Sequence, residues 1–280
     1  MIEDILSEKT KIEALNLLKE GFGWKKEKKF KYFLLNKKNQ NNKRLGVLFK
    51  YNSIAVGVIL LFEKDRIIDS NYYKFINFSS WYFKEEYRAF APILIKKIIS
   101  KSPENSVLTN FTPHSSAINI FKKFGFNHFD VRFSPININI LKYFSSIKIR
   151  KINTNIPNSI PKNIQDIFKN LSSKNIYKFG IYDHLKSETC FFVLCFFRKK
   201  GIKFARILFA NNPDILVKNL SKINLYLLIN CRSFGLLFPN FGSYKSVSWS
   251  FKTNGKYLFK STQKFDCIDL LFSEFTELLN

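Results

Sequence analysis

Histidine, cysteine and methionine are scarce in this 280-residue chain, at three, four and one. The cysteines, Cys190, Cys195, Cys231 and Cys267, form no Cys-x-x-Cys pair, and no histidine stands at ligand spacing beside them. That pattern excludes the common zinc and thioredoxin-like frameworks. Cys190 and Cys195 sit in an apolar, strand-like run and read as buried free thiols. Long apolar runs are missing too. The longest, Ile54–Phe62 and Cys190–Phe197, fall short of the roughly 20 residues that a membrane-spanning helix needs. The opening Met-Ile-Glu-Asp-Ile is acidic and lacks the basic-then-apolar plan of a secretory signal, so a cytoplasmic location is expected. Nothing matches a phosphate-binding P-loop or a Ser-His-Asp hydrolase.

Negative charge is also in short supply. Lys and Arg number 46 against 21 Asp and Glu, a formal net charge of +25. Such a balance suggests nucleic acid or an anionic surface as partner. Two features argue for a compositional origin instead. Only 8 of the cations are Arg, and Lys, Phe, Ile and Asn, all with AT-rich codons, are abundant together. The charge is also even along the chain, +12 over residues 1–145 and +13 over 146–280. What the chain has in quantity is apolar mass: 46% hydrophobic residues, including 32 Phe. That is enough for a sizeable core and excludes global disorder.

Periodicity organises the first half. Lys11–Lys19 reads as a helix closed by Gly21 and Gly23, and Lys25–Leu35 as a second, basic helix. A polar loop at Asn36–Lys43 leads to a hairpin of Leu45–Phe49 and Ile54–Phe62, the second strand being buried on both faces. Tyr73–Phe83 is an aromatic-rich strand. Arg88–Ser100 is a helix with Pro92 in its first turn, where the missing N–H costs nothing. Val107–Phe111 is a strand, and Ser115–Phe124 a helix stopped by Gly125. Phe126–Ile140 supplies further strands, and residues 150–162, rich in Asn, Pro and Lys, read as a linker. In the second half, Thr189–Phe197 and Ile202–Phe209 are strands around a Lys199-Lys200-Gly201 turn. A helix opens at Pro213, Leu225–Asn230 and Leu236–Phe238 are apolar pieces of open type, and Phe265–Leu278 reads as a strand merging into a helix. The class is mixed α and β.

The stretch Phe75–Phe126 runs strand, sharp turn, helix, strand, helix, Gly-Phe. It resembles the acyl-CoA N-acyltransferase (GNAT) superfamily. Phe83-Lys84-Glu85-Glu86-Tyr87-Arg88 matches the family's strand-end phrase, with Glu85 at its proline. Ala117, Phe121, Gly125 and Phe126 match its closing helix and Gly-Phe. The resemblance implies an α/β fold with a mixed sheet and an acyl group passed from acetyl-CoA or a longer acyl-CoA to an amine acceptor. It puts Tyr82, Phe83 and Lys84 beside the pantetheine arm. It puts Arg88, Ala89, Phe90, Ala91, Pro92 and Ile93 at the pyrophosphate, where a helix N-terminus offers free N–H groups. The family's first glycine is Ala91 here and its second small residue Ile93. Its frequent tyrosine acid falls at Phe121, and its frequent helix-opening Asn at His114.

The second half carries Tyr182-Asp183-His184, Lys256-Tyr257-Leu258-Phe259-Lys260 and Asp269-Leu270-Leu271-Phe272-Ser273-Glu274. These phrases resemble a set of uncharacterised bacterial GNAT-like proteins. The expected organisation is therefore a GNAT-like domain at 1–147 and a second, degenerate one at 148–280. Amide formation needs a base for the amine and donors for the thioester carbonyl. The candidate bases are Glu85, Glu86 and His114. Ser79 and Ser80 are candidates for binding substrate. Asp183 and His184 are adjacent in a strand and point opposite ways, which disfavours a catalytic pair. Acyl carrier protein or an aminoacyl-tRNA are alternative donors that suit the charge, and a non-catalytic module that kept the fold is a third reading.

Overall fold

A computed structural model describes every residue except 37–43, 69–70, 137–146, 154–155, 158–159, 172–174, 184–187, 248, 264, 266–268, 272 and 279–280. The loop expected at Asn36–Lys43 falls largely outside the described residues, as do His184, Cys267 and part of the Phe265–Leu278 segment. The residues cluster into two units. One comprises Met1–His128, Tyr257–Lys264 and Phe272–Asn280; the other comprises Phe129–Lys256 and Phe265–Leu271.

The first unit is built on β1 (Ile2–Asp4), α1 (Glu8–Phe22), α2 (Trp24–Lys31), β2 (Gly46–Tyr51), β3 (Ile54–Ile68), β4 (Asn71–Phe83), α3 (Ala91–Ser100), β5 (Ser106–Asn110) and α4 (Ser115–Lys123). The β2–β3 turn puts Asn52 and Ser53 at φ of 46° and 64°, the left-handed pair that matches the twist of a tight hairpin. The apolar run of β3 serves two helical layers. Val58, Leu60 and Phe62 join α1 through Leu18, α2 through Phe30 and the helical turn after α2 through Leu34. Ile59 and Leu61 join α3 and α4 with Leu94, Ile98 and Phe121. Alternation on a strand buried on both faces explains why the run is continuous rather than striped.

β1, β2, β3 and β4 pair antiparallel in that order. β4 then pairs parallel with β5 across the α3 connection. The far edge of β5 is paired by Leu258–Lys260, antiparallel, so a strand from late in the chain completes this sheet. The Gly-Phe phrase has a clear physical role. Gly125, at φ 80°, follows α4, and its N–H reaches the Lys122 carbonyl at 2.9 Å while Phe126 N–H reaches Phe121 at 3.2 Å. These are the two bonds of a Schellman stop, and the Phe121 and Phe126 rings, 4.8 Å apart, supply its usual apolar contact.

The second unit contains most of β6 (Asn127–Pro135), then β7 (Ile147–Ile152), α5 (Lys162–Asn170), β8 (Ile176–Asp183), β9 (Glu188–Lys199), β10 (Ile202–Ala210), α6 (Pro213–Lys218), α7 (Leu220–Cys231), β11 (Gly235–Pro239) and the first part of β12 (Phe251–Lys260). β7, β8, β9 and β10 pair antiparallel in that order. β10 and β11 pair parallel across the two helices, and β11 takes β6 as its antiparallel neighbour. The order repeats that of the first unit: three antiparallel pairings, a helical crossover, a parallel pairing, then an antiparallel strand from elsewhere in the chain.

Two readings from the sequence need correction. Residues 150–152 of the expected linker belong to β7, because Ile147 and Ile149, two apart, pack on the same core and the strand's backbone pairs with β8. The helix expected from Arg88 begins as a 3-10 turn over Glu85–Phe90 and becomes α-helical only at Ala91. The apolar piece Leu225–Asn230 is helical, within α7. No helix among the described residues is long and apolar enough to cross a membrane.

Candidate functional site

The parallel ladder between β4 and β5 ends at Asn77 and Thr109. Asn77 marks the spot with a side-chain bond from Nδ2 to Thr109 Oγ1 of 3.0 Å. Beyond it the strands part. On its other side, β4 has Ser79 and Ser80 opposite the single residue Leu60, between the pairs Leu61–Phe78 and Ile59–Trp81. An extra residue of this kind is a β-bulge, which takes one backbone unit out of the ladder and turns it.

A cleft of about 880 Å³ opens at this parting, all of its lining residues in the first unit. Its β4 wall is Ser79–Tyr82. Asn110, Thr112, Pro113 and His114 form the wall that continues β5. Gly21, Phe22, Lys26, Lys29 and Phe30 close it from α1 and α2. Glu274, Phe275 and Leu278 come from α8 (Glu274–Glu277) and the residue after it. Ser273 and Thr276 cap that short helix with a reciprocal pair of side-chain to backbone bonds, which fixes where Glu274 starts.

Not all of the residues nominated from the sequence reach the cleft. Ser79, Ser80, Tyr82, Arg88 and His114 line it. Ser79 is 8% exposed, and its hydroxyl has no hydrogen-bond partner among the described residues. An orphaned buried hydroxyl at a cleft wall is a ready contact for a ligand carbonyl or amide. Tyr82 donates its hydroxyl to Glu20 Oε1 at 2.9 Å. Its phenol is pushed above the usual tyrosine value by burial first and by that carboxylate second. His114 is an exposed N-cap of α4, with Nδ1 2.9 Å from Ser116 Oγ. Arg88 is exposed, 3.6 Å from Glu85 Oε1.

The remaining nominees lie off the cleft. Glu85 and Glu86 are exposed on the 3-10 turn. Phe83 is buried against the Cα of Gly57 and the Phe49 ring. Lys84 approaches Glu20 at 3.7 Å. Phe90 stacks on Phe49 at 5.1 Å, Ala91 is buried in the core, and Ala89 and Ile93 are exposed beside Pro92. The backbone around α3 is a poor phosphate cradle. The Ala91 N–H is bonded to the Arg88 carbonyl, and Pro92 has no N–H to offer. Phe121 is fully buried among Phe78, Trp81 and Phe126 and does not reach the cleft.

Glu274 escaped the sequence reading. It is 9% exposed, and its Oε1 accepts the Thr112 hydroxyl at 2.6 Å across 162 residues of sequence. The phrase Asp269–Glu274 was the one available signal, since spacing cannot show a contact of that range.

No protein-family model matches the sequence, and no curated protein matches it. Solved structures do match in fold. A GCN5-related N-acetyltransferase from Anabaena variabilis superposes with a TM-score of 0.59 at 11% identity, covering 93% of this chain and 72% of that one. A putative acetyltransferase from Pyrococcus horikoshii gives 0.53 at 11%, covering 97% and 92%. A probable N-acyltransferase from Enterococcus faecalis gives 0.56 at 8%, covering 93% and 72%. The fold is that of the GCN5-related N-acetyltransferases. At these identities the likeness concerns architecture, and the chemistry has to be argued from the cleft.

The second unit differs at the matching place. Its β10–β11 ladder is short, with pairs at Ala205–Leu236 and Arg206–Leu237. Just beyond it, the Leu208 carbonyl accepts the N–H of Leu270 at 2.7 Å, and the Leu270 side chain is 1% exposed. The chain itself therefore covers the edge of β10 that its counterpart β4 leaves open.

Proposed function

We propose that the first unit transfers an acyl group from an acyl thioester to an amine, with the donor's amide-rich arm lying against the open edge of β4. The observation that carries this reading is the parting of β4 from β5 at a bulge, beside the orphaned Ser79 hydroxyl. There, an unpaired strand edge can bond the amides of a pantetheine arm, and a backbone N–H freed by the bulge can polarise a thioester carbonyl. The second unit, with the matching edge occupied by Leu270, serves as a degenerate module of like kind.

Calorimetric titration with acetyl-CoA and octanoyl-CoA tests the reading. Binding is expected, weakened about tenfold by Arg88→Ala, the scale of a single charge-assisted contact. No binding of either compound, together with no effect of Arg88→Ala, would sink it.

The engaged Ala91 amide and the absent Pro92 amide favour a second donor class within the same fold. Lys26, Lys29 and Arg88 form a cationic lining that suits the phosphates of an acyl carrier protein or an aminoacyl-tRNA. A binding constant falling steeply with salt, or RNA or carrier protein co-purifying, supports that donor; salt-insensitive binding with neither present excludes it.

A further inference from the structure

Resting on the acyl-transfer reading of the cleft, we propose that Glu274 is the general base that receives the acceptor's ammonium proton, with Thr112 as its positioning residue. Glu274 is the one carboxylate among the described residues that line the cleft, and the charged groups facing it from α2 and the 3-10 turn are the cations Lys26, Lys29 and Arg88. Among the described lining residues, Glu274 is where an incoming ammonium meets complementary charge. The carboxylate is nine-tenths buried, so solvent screens it little. Its 2.6 Å bond from Thr112 is of the short, charge-assisted kind and fixes one oxygen. Thr112 lies two residues beyond Asn110, the last residue of β5, and Asn110 Oδ1 accepts the Thr112 N–H at 3.2 Å. The contact therefore ties Glu274 to the β5 wall of the cleft that Ser79 and Ser80 also line. His114, the other titratable group on that wall, has its Nδ1 engaged by Ser116.

The step balances as follows. Glu274 takes a proton from the ammonium, and the neutral nitrogen attacks the thioester carbonyl. The C–N bond forms, the C–S bond breaks, and the second nitrogen proton leaves with the thiolate as a free thiol. The proton on Glu274 passes to solvent, so the net products are amide, thiol and one proton.

The test uses the full chain, octanoyl-CoA as donor and thiol release as readout, with n-hexylamine or hydroxylamine as acceptor. Hexylamine is protonated at neutral pH and needs a base; hydroxylamine is largely neutral and does not. Glu274→Gln keeps the volume and still accepts from Thr112. It is expected to lose about a hundredfold in kcat with hexylamine, the scale of general-base catalysis, while keeping its rate with hydroxylamine and its KM for octanoyl-CoA. Thr112→Val is expected to show a smaller loss with the same acceptor dependence. Equal losses with both acceptors would mean a structural role and overturn the inference. So would an unchanged hexylamine rate, or a loss confined to His114→Gln; each leaves acyl transfer standing. A wild-type chain that binds octanoyl-CoA yet transfers to neither amine overturns both the acyl-transfer reading and the base.

Discussion

An alanine at Gly21 sets two opposing effects against each other, and the sign of the result reports which one wins. Gly21 lies exposed in the last turn of α1. An exposed helical glycine ordinarily gains up to about 1 kcal/mol on replacement by alanine, less near a helix end. Here, however, an added Cβ would stand 2.2 Å from Cδ2 and 2.4 Å from Cγ of Tyr82. Ordinary carbon contacts are about 3.5–4.0 Å, so the ring would have to retreat by roughly 1.3 Å or more. The atoms that clash are the stem of the ring, which is held at its far end by the 2.9 Å bond to Glu20 and cannot swing away freely. Overpacking of this size costs about 1–3 kcal/mol, which exceeds the helix gain. Gly21→Ala is expected to lower Tm by about 2–8 °C in a thermal melt, for a net loss of roughly 1–2 kcal/mol. In a Tyr82→Ala background the same change should become neutral or stabilising, because the obstacle is gone. A rise in Tm with Tyr82 in place would refute the packing of α1 on β4. Tyr82 is also a cleft wall, so acyl-CoA binding should weaken in the single variant.

Phe121→Tyr restores the residue that many enzymes of this fold use as an acid, but the site is fully buried. It should lose about 1–3 kcal/mol of stability for an unsatisfied hydroxyl and gain no transfer rate; a faster enzyme would show that the ring edge reaches the cleft. Burial pushes the thiol of Cys190 up to about 12 and that of Cys195 to about 11, so both stay protonated at pH 8. Site-resolved mass spectrometry after iodoacetamide at pH 8 should find both unmodified in the native chain and alkylated in urea; native labelling would contradict the buried placement of β9.

Much of the first unit was legible because its signals are local. The runs of β3 and β4, the Pro92 turn and the Gly125 stop each declare themselves within about a dozen residues, and together they carried the family resemblance. What stayed hidden depends on distance along the chain. That Leu258–Lys260 pairs with β5 cannot be read from a window that contains only one partner. The same holds for Glu274 meeting Thr112. The acidic pair at Glu85 and Glu86 looked chemical because of its place after a strand, yet the 3-10 turn points it at solvent. Pro92 and Ile93 were recognisable as departures from a phosphate turn; that Ala91 was already bonded to Arg88 needed the backbone itself.

The strand that completes the first sheet has a consequence for how the protein is made. Residues Met1–His128 leave the ribosome well before Tyr257–Lys264, which belong to the same unit. At about 5–20 residues per second, the intervening stretch takes on the order of ten seconds to synthesise. Throughout that interval the outer edge of β5 has no partner, and an unpaired, buried-type strand edge is a template for pairing with another chain. Glu274 arrives later still. The nascent first unit is thus complete as a sheet only once Leu258–Lys260 have been made, and as a cleft only once Glu274, Phe275 and Leu278 have followed.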